Sequence, residues 1–449
     1  MKTENLLDSH PLPPGSFGLP WLGETLSFLR QPNFIDQRSQ RYGSIFKTNI
    51  LGQPTVIMLG PEANHFILSS HVDCFSQEGW PDTFKSLLGR KALVLQDGEE
   101  HRRNRKLIRP TLHGSALAGY LTTMEQVSLA YLKQWERLES LTWFSELRRM
   151  TFEIASILLV GGKPGEDNDH LFKWFCELSQ GLFTLPIHWR WTPFGKAIHA
   201  RKQILIYIEQ AMLQRQKTPT QDVLSLLMQA KDETGQGLSQ EEIKSQALAL
   251  LIGTNSNTAS MLVCFCMALA QHPEVLHIAR TEQHQIEQTS IDASLSLEQL
   301  KQMIYLNQVL QEVERCYPPV GAGFRRVIKP FVFNGYAVPS GWNAMYSIIG
   351  THTDSRIYVE PTRFDPDRFS ADRAEHKKMD FSLVGFGGGT RNCLGFAFAQ
   401  TLIKTFAANL LRHYDWELLP GQTLTLNRIP TAHPRSGLQV KLKKLEAVT

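Results

Sequence analysis

Cysteine is scarce in this 449-residue chain. The six residues (Cys74, Cys176, Cys264, Cys266, Cys316 and Cys393) lie far apart, apart from one close pair inside an apolar run. They form no zinc-type double pair and no framework for a small stapled fold, and they suit a reducing cytosol. An excess of charge of one sign is also missing. The formal net charge is +4, with no basic block interleaved with aromatics, which argues against a nucleic-acid partner. Met1–His10 is polar, so no secretory leader is expected. The longest apolar stretch, Ala247–Ala270, is broken by Gly253-Thr254-Asn255-Ser256-Asn257-Thr258. Six small or polar residues in mid-span are costly in hydrocarbon, so no transmembrane segment is expected. There is no dinucleotide fingerprint, no phosphate loop, no repeat and no low-complexity tract.

What is present reads as a large helical domain. Hydrophobic residues make up 42% and charged residues 20%, ordinary values for a globular protein. Residues 11–23 form a stiff proline-rich arm rather than a helix. Ser44–Met58 holds two β-branched runs about Gly52-Gln53-Pro54 and predicts a hairpin, and Pro61 then opens a short helix. From Glu99 to Ile286 apolar residues recur three and four apart. Breaks fall at Gly161-Gly162, from Pro186 to Pro193, at Pro219 and at Gly235-Gln236-Gly237. Ser239-Gln240-Glu241-Glu242 reads as a capping box, and the helix after it runs to Gln271, roughly 45 Å. A helix over Tyr305–Cys316 ends at Pro318-Pro319. Short strands follow over 324–347, turning at Asn334-Gly335, then a helix from Gly395 to His413 and a strand over Gly437–Lys443. The expected class is mainly α with small β-sheets.

One stretch stands out: Phe386-Gly387-Gly388-Gly389-Thr390-Arg391-Asn392-Cys393-Leu394-Gly395. Glycines permit positive φ and close backbone approach, and the stretch ends where a helix begins. A helix start favours thiolate over thiol, and one thiolate facing open space is what a metal with a single protein axial ligand needs. Taken alone, Cys393 reads first as a small buried hydrophobe in a glycine turn. Glu312 and Arg315 share a helix face, which by itself describes an ordinary ion pair. Phe364-Asp365-Pro366-Asp367-Arg368-Phe369 adds an arginine in an aromatic, proline-framed segment that could complete a Glu–Arg–Arg lock.

In this order, these pieces resemble the cytochrome P-450 family, and the resemblance runs from the proline arm to the final strand. Phe386, Gly389, Arg391, Cys393 and Gly395 match its haem-binding signature. Glu312 and Arg315 match its Glu-x-x-Arg helix, and Arg368 matches the arginine between the two. The resemblance implies a single large catalytic domain over 24–449 behind the arm 1–23, with a long helix over haem b and Cys393 as the metal ligand. His101 and Arg105, four apart on one helix, together with Arg325 and Arg391, are the expected partners of the haem propionates. Arg102, Arg103 and Arg109 read either as a solvated basic face or as a docking face for an acidic electron donor.

The clearest departure lies in the long helix. The family pattern there is small-Gly-x-acid-Thr. Aligning Leu250–Gly253 and Thr258–Ser260 puts Ser256 at the acid and Asn257 at the alcohol, with Thr258 beside them. In the family that pair organises water and delivers protons to dioxygen, whereas neither Ser nor Asn titrates near neutrality. A bend or π-bulge at this place would itself be a functional feature. Trp80, Phe183, Gly253, Val320 and Ala322 fall in segments that line the family's substrate cavity, and their apolar character implies a lipophilic substrate. Gly18–Thr25, Pro318–Arg325 and Asn334–Trp342, and His101 where tryptophan is commoner, are most similar to the retinoic-acid-hydroxylating branch and its bacterial relatives. The implied protein is a soluble, monomeric haem-thiolate monooxygenase that hydroxylates a retinoid or other isoprenoid. It would use O2 and electrons from an external ferredoxin or flavoprotein, in the cytoplasm or peripherally at a membrane surface. The substituted Ser256-Asn257 pair keeps open an isomerase, a peroxide-dependent oxidase or a non-catalytic haem binder.

Overall fold

The computed structural model describes residues 9–19, 23–31, 33–163, 165–289 and 294–446. Parts of the proline arm, Met1–Asp8 and Pro20–Leu22, lie outside the described residues. The chain forms two compact units. One comprises residues 1–80 and 320–393, the other residues 81–319 and 394–449.

The first unit is built on a five-stranded sheet in the spatial order Ile45–Ile50, Gln53–Met58, Asn343–Ser347, Ala322–Val327, Phe75–Ser76. The expected hairpin is its first pair, in antiparallel register from Ile45 opposite Met58 to Ile50 opposite Gln53. Gln53–Met58 pairs in parallel with Asn343–Ser347, and the other pairings are antiparallel. One face packs Ile45, Val56, Met58, Ala344 and Tyr346 with Leu68, Val327, Phe331 and Val384. The proline arm is not helical where described. The Lys47 N–H donates to Pro14 O at 2.8 Å and the Ala337 N–H to Pro11 O at 2.9 Å, so the arm is pinned to the first strand of the sheet and to the separate strand Tyr336–Val338. Asn334 (φ 48°) and Gly335 (φ 79°) make the expected tight turn between Phe331–Phe333 and Tyr336–Val338. Both residues are types that reach the left-handed region at low cost.

The second unit is helical. Its centre is the 32-residue helix Gln240–Gln271, packed against Trp143–Val160. The capping box is formed: the Glu242 N–H donates to Ser239 Oγ at 3.2 Å, and the Ser239 N–H donates to Glu242 Oε2 at 2.8 Å. Helices occupy Gly98–Ile108, Gly114–Trp135, Glu166–Gly181, Pro193–Lys217, Val223–Gln229, Ile304–Cys316 and Phe396–His413, with interruptions at the expected breaks. A further interruption at His272 starts a separate helix at Pro273, where proline sits in the first turn and cannot continue the preceding ladder. The expected strand over Gly437–Lys443 is formed as Gln439–Lys444, and it pairs antiparallel with Leu141–Thr142 and Tyr414–Leu418, two short strands that sequence periodicity passes over. Gln240–Gln271 is the one described helix long and apolar enough to cross a membrane, and 67% of its most apolar window is buried inside the protein.

Candidate active site

In the first unit the cysteine loop is held from several sides. Val384 N–H donates to the buried His352 Nε2 at 3.0 Å, which fixes the chain two residues before Phe386. Asn64, fully buried, donates to Thr351 Oγ1 at 2.9 Å and to Phe381 O at 3.2 Å. The loop then closes on itself as the Cys393 N–H donates to Phe386 O at 2.7 Å. Gly389 has φ +55°, and a Cβ there would run into the Leu68 carbonyl oxygen. Leu68 belongs to a π-helical turn, Phe66–Ser70, that nothing in the residue pattern announces. Such turns concentrate at functional sites, where one extra residue re-aims the backbone. The signature glycine is therefore required twice over, by backbone angle and by close approach.

Cys393 is exposed at the tip of this loop, whereas Cys74, Cys264 and Cys266 are buried. Burial pushes the thiols of Cys74 and Cys176 up, that of Cys264 up to about 12, and that of Cys266 well above its ordinary value. Thiols so placed stay protonated and are poor metal ligands. Among the described residues no group of three or more His, Cys, Asp or Glu side chains could hold a metal ion. A metal at Cys393 would therefore bring its other ligands with it, which fits a macrocycle. Arg391 and Phe386 are half-buried in the same loop, and Arg325 is buried on Ala322–Val327, its guanidinium 5.5 Å from the Tyr346 ring. Trp80 meets Phe324 edge-on at 6.2 Å, beside the strand that carries Ala322. Val320 is half-buried just before that strand. Arg368 is buried at 0% exposure. It donates to Glu375 Oε2 at 2.8 Å, Val359 O at 2.9 Å and Arg363 O at 3.0 Å.

In the second unit, Glu312 and Arg315 form a bidentate pair at 2.7 Å for both bonds, with both side chains at 0% exposure. His101 is buried and Arg105 half-buried, one turn apart on Gly98–Ile108. Of the surplus arginines, Arg103 is engaged internally: it bonds Asp232 Oδ2 at 2.8 Å, Asn104 Oδ1 at 3.1 Å and Gly237 O at 2.9 Å. Only Arg102 and Arg109 are exposed, which narrows the expected basic docking face. His113, which the sequence did not single out, places Nε2 3.2 Å from the carbonyl of Leu394, the residue that follows the cysteine.

The middle of the long helix opens to solvent while its flanks are buried. Gly253 is exposed with nothing within 4 Å of a Cβ position, and Ser256 and Asn257 are half-buried. Among the described residues neither Ser256 nor Asn257 has a side-chain hydrogen bond. The α-helical pattern runs through this stretch without a π-bulge. Thr258 is buried at 2% exposure, away from the open strip. Asn255, also missed in the sequence, faces the neighbouring helix: its Nδ2 donates to Arg148 O at 2.6 Å and Thr151 Oγ1 at 3.0 Å. This anchor fixes the rotation of the helix and so which side chains line the strip. Phe183 lies elsewhere, 43% exposed and 5.7 Å from the Phe84 ring.

Comparison with known proteins agrees with this arrangement. The family model described as cytochrome P-450 matches residues 13–442. A provisionally named cytochrome P-450 120 of Synechocystis is 42% identical over 98% of each chain. Cytochrome P-450 26B1 of Mus musculus is 32% identical over 97% of this chain and 88% of its own. The solved structure titled "Retinoic acid bound cyanobacterial CYP120A1" superposes with a TM-score of 0.91 at 41% identity. It covers 97% of this chain and 100% of that one.

Proposed function

The chain belongs to the cytochrome P-450 family, and from that premise we propose that Cys393 is the protein ligand of haem b. Membership makes it a haem-thiolate monooxygenase, an oxidoreductase that takes O2, a small-molecule substrate and electrons from a redox partner. The observation that carries the ligand assignment is the contrast among thiols. Cys393 is exposed at the tip of a braced loop, while burial keeps Cys264 and Cys266 protonated. When bound, the haem supplies the redox chemistry that inserts one oxygen atom into a C–H bond and reduces the other to water with two protons and two electrons.

The chain's own residues hold and orient. His101, Arg105, Arg325 and Arg391 would take the two propionates, with guanidinium groups suited to bidentate carboxylate bonds. Phe386, Gly389 and Gly395 shape the loop that presents the sulfur. Glu312 with Arg315 in one unit, and Arg368 with Glu375 in the other, would each brace its own part of the scaffold. Asn257 offers an amide to hold water, and Ser256 a hydroxyl to pass a proton, without either changing charge near neutrality. Thr258, buried on the other side of the helix, takes no part in that relay. Trp80, Val320 and Ala322 in the first unit and Gly253 in the second are the positions proposed to face the substrate, while Phe183 lies exposed against the Phe84 ring. A domain over 24–449 behind the arm 1–23, acting as a cytoplasmic monomer served by a ferredoxin or flavoprotein, completes the reading.

The substrate is a retinoid or similar isoprenoid. A structure 41% identical is titled as binding retinoic acid, and the proposed lining is apolar. The test is titration with retinoic acid followed by turnover with O2, reductant and donor protein. A spin-state change and a hydroxylated product are expected. Product formed only from peroxide or a hydroperoxide would instead favour the second reading, to which the uncharged Ser256 and Asn257 point.

A further inference from the structure

The helix Gly98–Ile108 buries a carboxamide at its centre. Asn104 is fully buried and shares one stripe of the helix with His101 and Arg105, three positions before it and one after. Every polar atom of its side chain is engaged. Nδ2 donates to Glu242 Oε1 at 3.1 Å and to Gln96 Oε1 at 3.2 Å, and Oδ1 accepts from Arg103 Nη1 at 3.1 Å. A carboxylate only accepts and a guanidinium only donates, so the amide has one orientation. Glu242 stands in the first turn of the long helix Gln240–Gln271. Its Oε2 takes the capping bond from the Ser239 N–H, which leaves Oε1 for Asn104. One turn further on, the buried Gln246 grips the chain that leads into Gly98–Ile108. Its Oε1 accepts from the Leu93 N–H at 2.9 Å and its Nε2 donates to Lys91 O at 2.7 Å. Gln96, also buried, donates to the same Lys91 O at 3.0 Å and so ties that chain back to Asn104.

We propose that Asn104 and Glu242 are positioning residues for the cofactor: their bond sets the rotation of Gly98–Ile108 and so aims His101 and Arg105 at the haem propionates. Successive side chains of a helix are roughly 100° apart, so a small rotation carries a side chain off its face. Packing alone does not ask for an amide at position 104. An apolar side chain would fill a buried site with no polar atom to satisfy, whereas a buried amide is costly unless each of its groups is bonded. What the amide adds is direction. Hydrogen bonds weaken steeply off axis, and the Glu242 charge strengthens this one, so the helix is held at one angular setting. The inference rests on the reading that His101 and Arg105 take the propionates. It adds that their aim is set from the long helix, through the same turn that caps it.

The test compares haem with haem dimethyl ester, whose propionates carry no charge, each loaded into the full-length protein. The readout is the rate of transfer to excess apomyoglobin. The parent should lose the ester at least about tenfold faster than haem. Asn104→Leu should lose haem about tenfold faster than the parent does and the ester at nearly the parent's rate, so that the preference collapses. A purely structural role would speed both losses alike and keep the preference, which would overturn the proposal. Asn104→Asp sets two carboxylates together and should also lose the preference at neutral pH. Asn104→Asp/Glu242→Gln exchanges amide and carboxylate and should regain most of it, and a double variant no better than Asn104→Asp would likewise overturn the proposal. A parent that releases haem and ester at one rate would remove the propionate reading and the proposal with it. Every haem-loaded variant should keep the parent's carbon-monoxide spectrum, because Cys393 is untouched, which separates this test from that of the ligand assignment.

Discussion

The cysteine loop and the centre of the long helix carry the chemistry of this protein and are built in opposite ways. The loop is over-determined. His352, Asn64, the π-turn at Phe66–Ser70 and its own Cys393-to-Phe386 hydrogen bond leave it one shape. The helix centre is determined only as backbone. Asn255 anchors one side, and on the other Ser256 and Asn257 make no side-chain hydrogen bond among the described residues. The first arrangement suits holding a group in place. The second suits side chains that must bond to something that comes and goes. Changes in the loop should therefore cost stability and cofactor retention, and changes on the open strip should alter the reaction at little cost to folding.

The largest effect on folding should come from the buried pair that supports the scaffold. Glu312→Ala leaves the fully buried Arg315 without its carboxylate and should cost about 3–5 kcal/mol in urea unfolding. A loss within about 0.5 kcal/mol would mean the pair is not structural. Two glycine substitutions sharpen the contrast because they should differ in sign. Gly389→Ala meets both a positive φ and the Leu68 carbonyl, and should destabilise by about 1–3 kcal/mol and lower the haem-to-protein absorbance ratio. Gly253→Ala, in a helix with no protein atom near the new methyl, should stabilise the ligand-free protein by up to about 1 kcal/mol. Equal signs would remove the distinction between the two regions. Ser256→Glu/Asn257→Thr should move stability by less than about 0.5 kcal/mol while shifting the ratio of hydroxylated product to released peroxide. An unchanged ratio would place proton delivery elsewhere.

The smallest expected effect lies outside both regions. Bonds from the Thr234 hydroxyl first, and from Arg103, hold the Asp232 carboxyl down at about 2. A folded-state value below the ordinary one means that its contribution is complete above about pH 4 and fades as pH falls toward 2. Asp232→Asn should flatten that part of the acid-unfolding curve, and an identical curve would show the bond to be inconsequential.

Much of this was legible in the sequence because the physical signals are local. The Ser239 capping box, the Asn334-Gly335 turn, the Pro61 helix start and the glycine-rich cysteine loop each depend on residues within a few positions. The rest depended on partners distant in sequence. The π-turn under Gly389 reflects packing of residues 66–70 on residues 389–391, and no single-residue preference encodes it. Asn255 looked like one of six interchangeable polar residues until the carbonyl of Arg148 showed which way it faces. His113 became visible only through its contact with Leu394, and Arg103 was withdrawn from the basic face only by Asp232.

The central claim is that the exposed sulfur of Cys393, and not any buried thiol, holds the haem. The most direct measurement is the reduced, carbon-monoxide-bound absorption spectrum of the parent, Cys176→Ser and Cys393→Ser. The parent and Cys176→Ser should share the red-shifted band of thiolate ligation, and Cys393→Ser should lose it while remaining folded by circular dichroism. A red-shifted band that survives in Cys393→Ser would contradict the assignment.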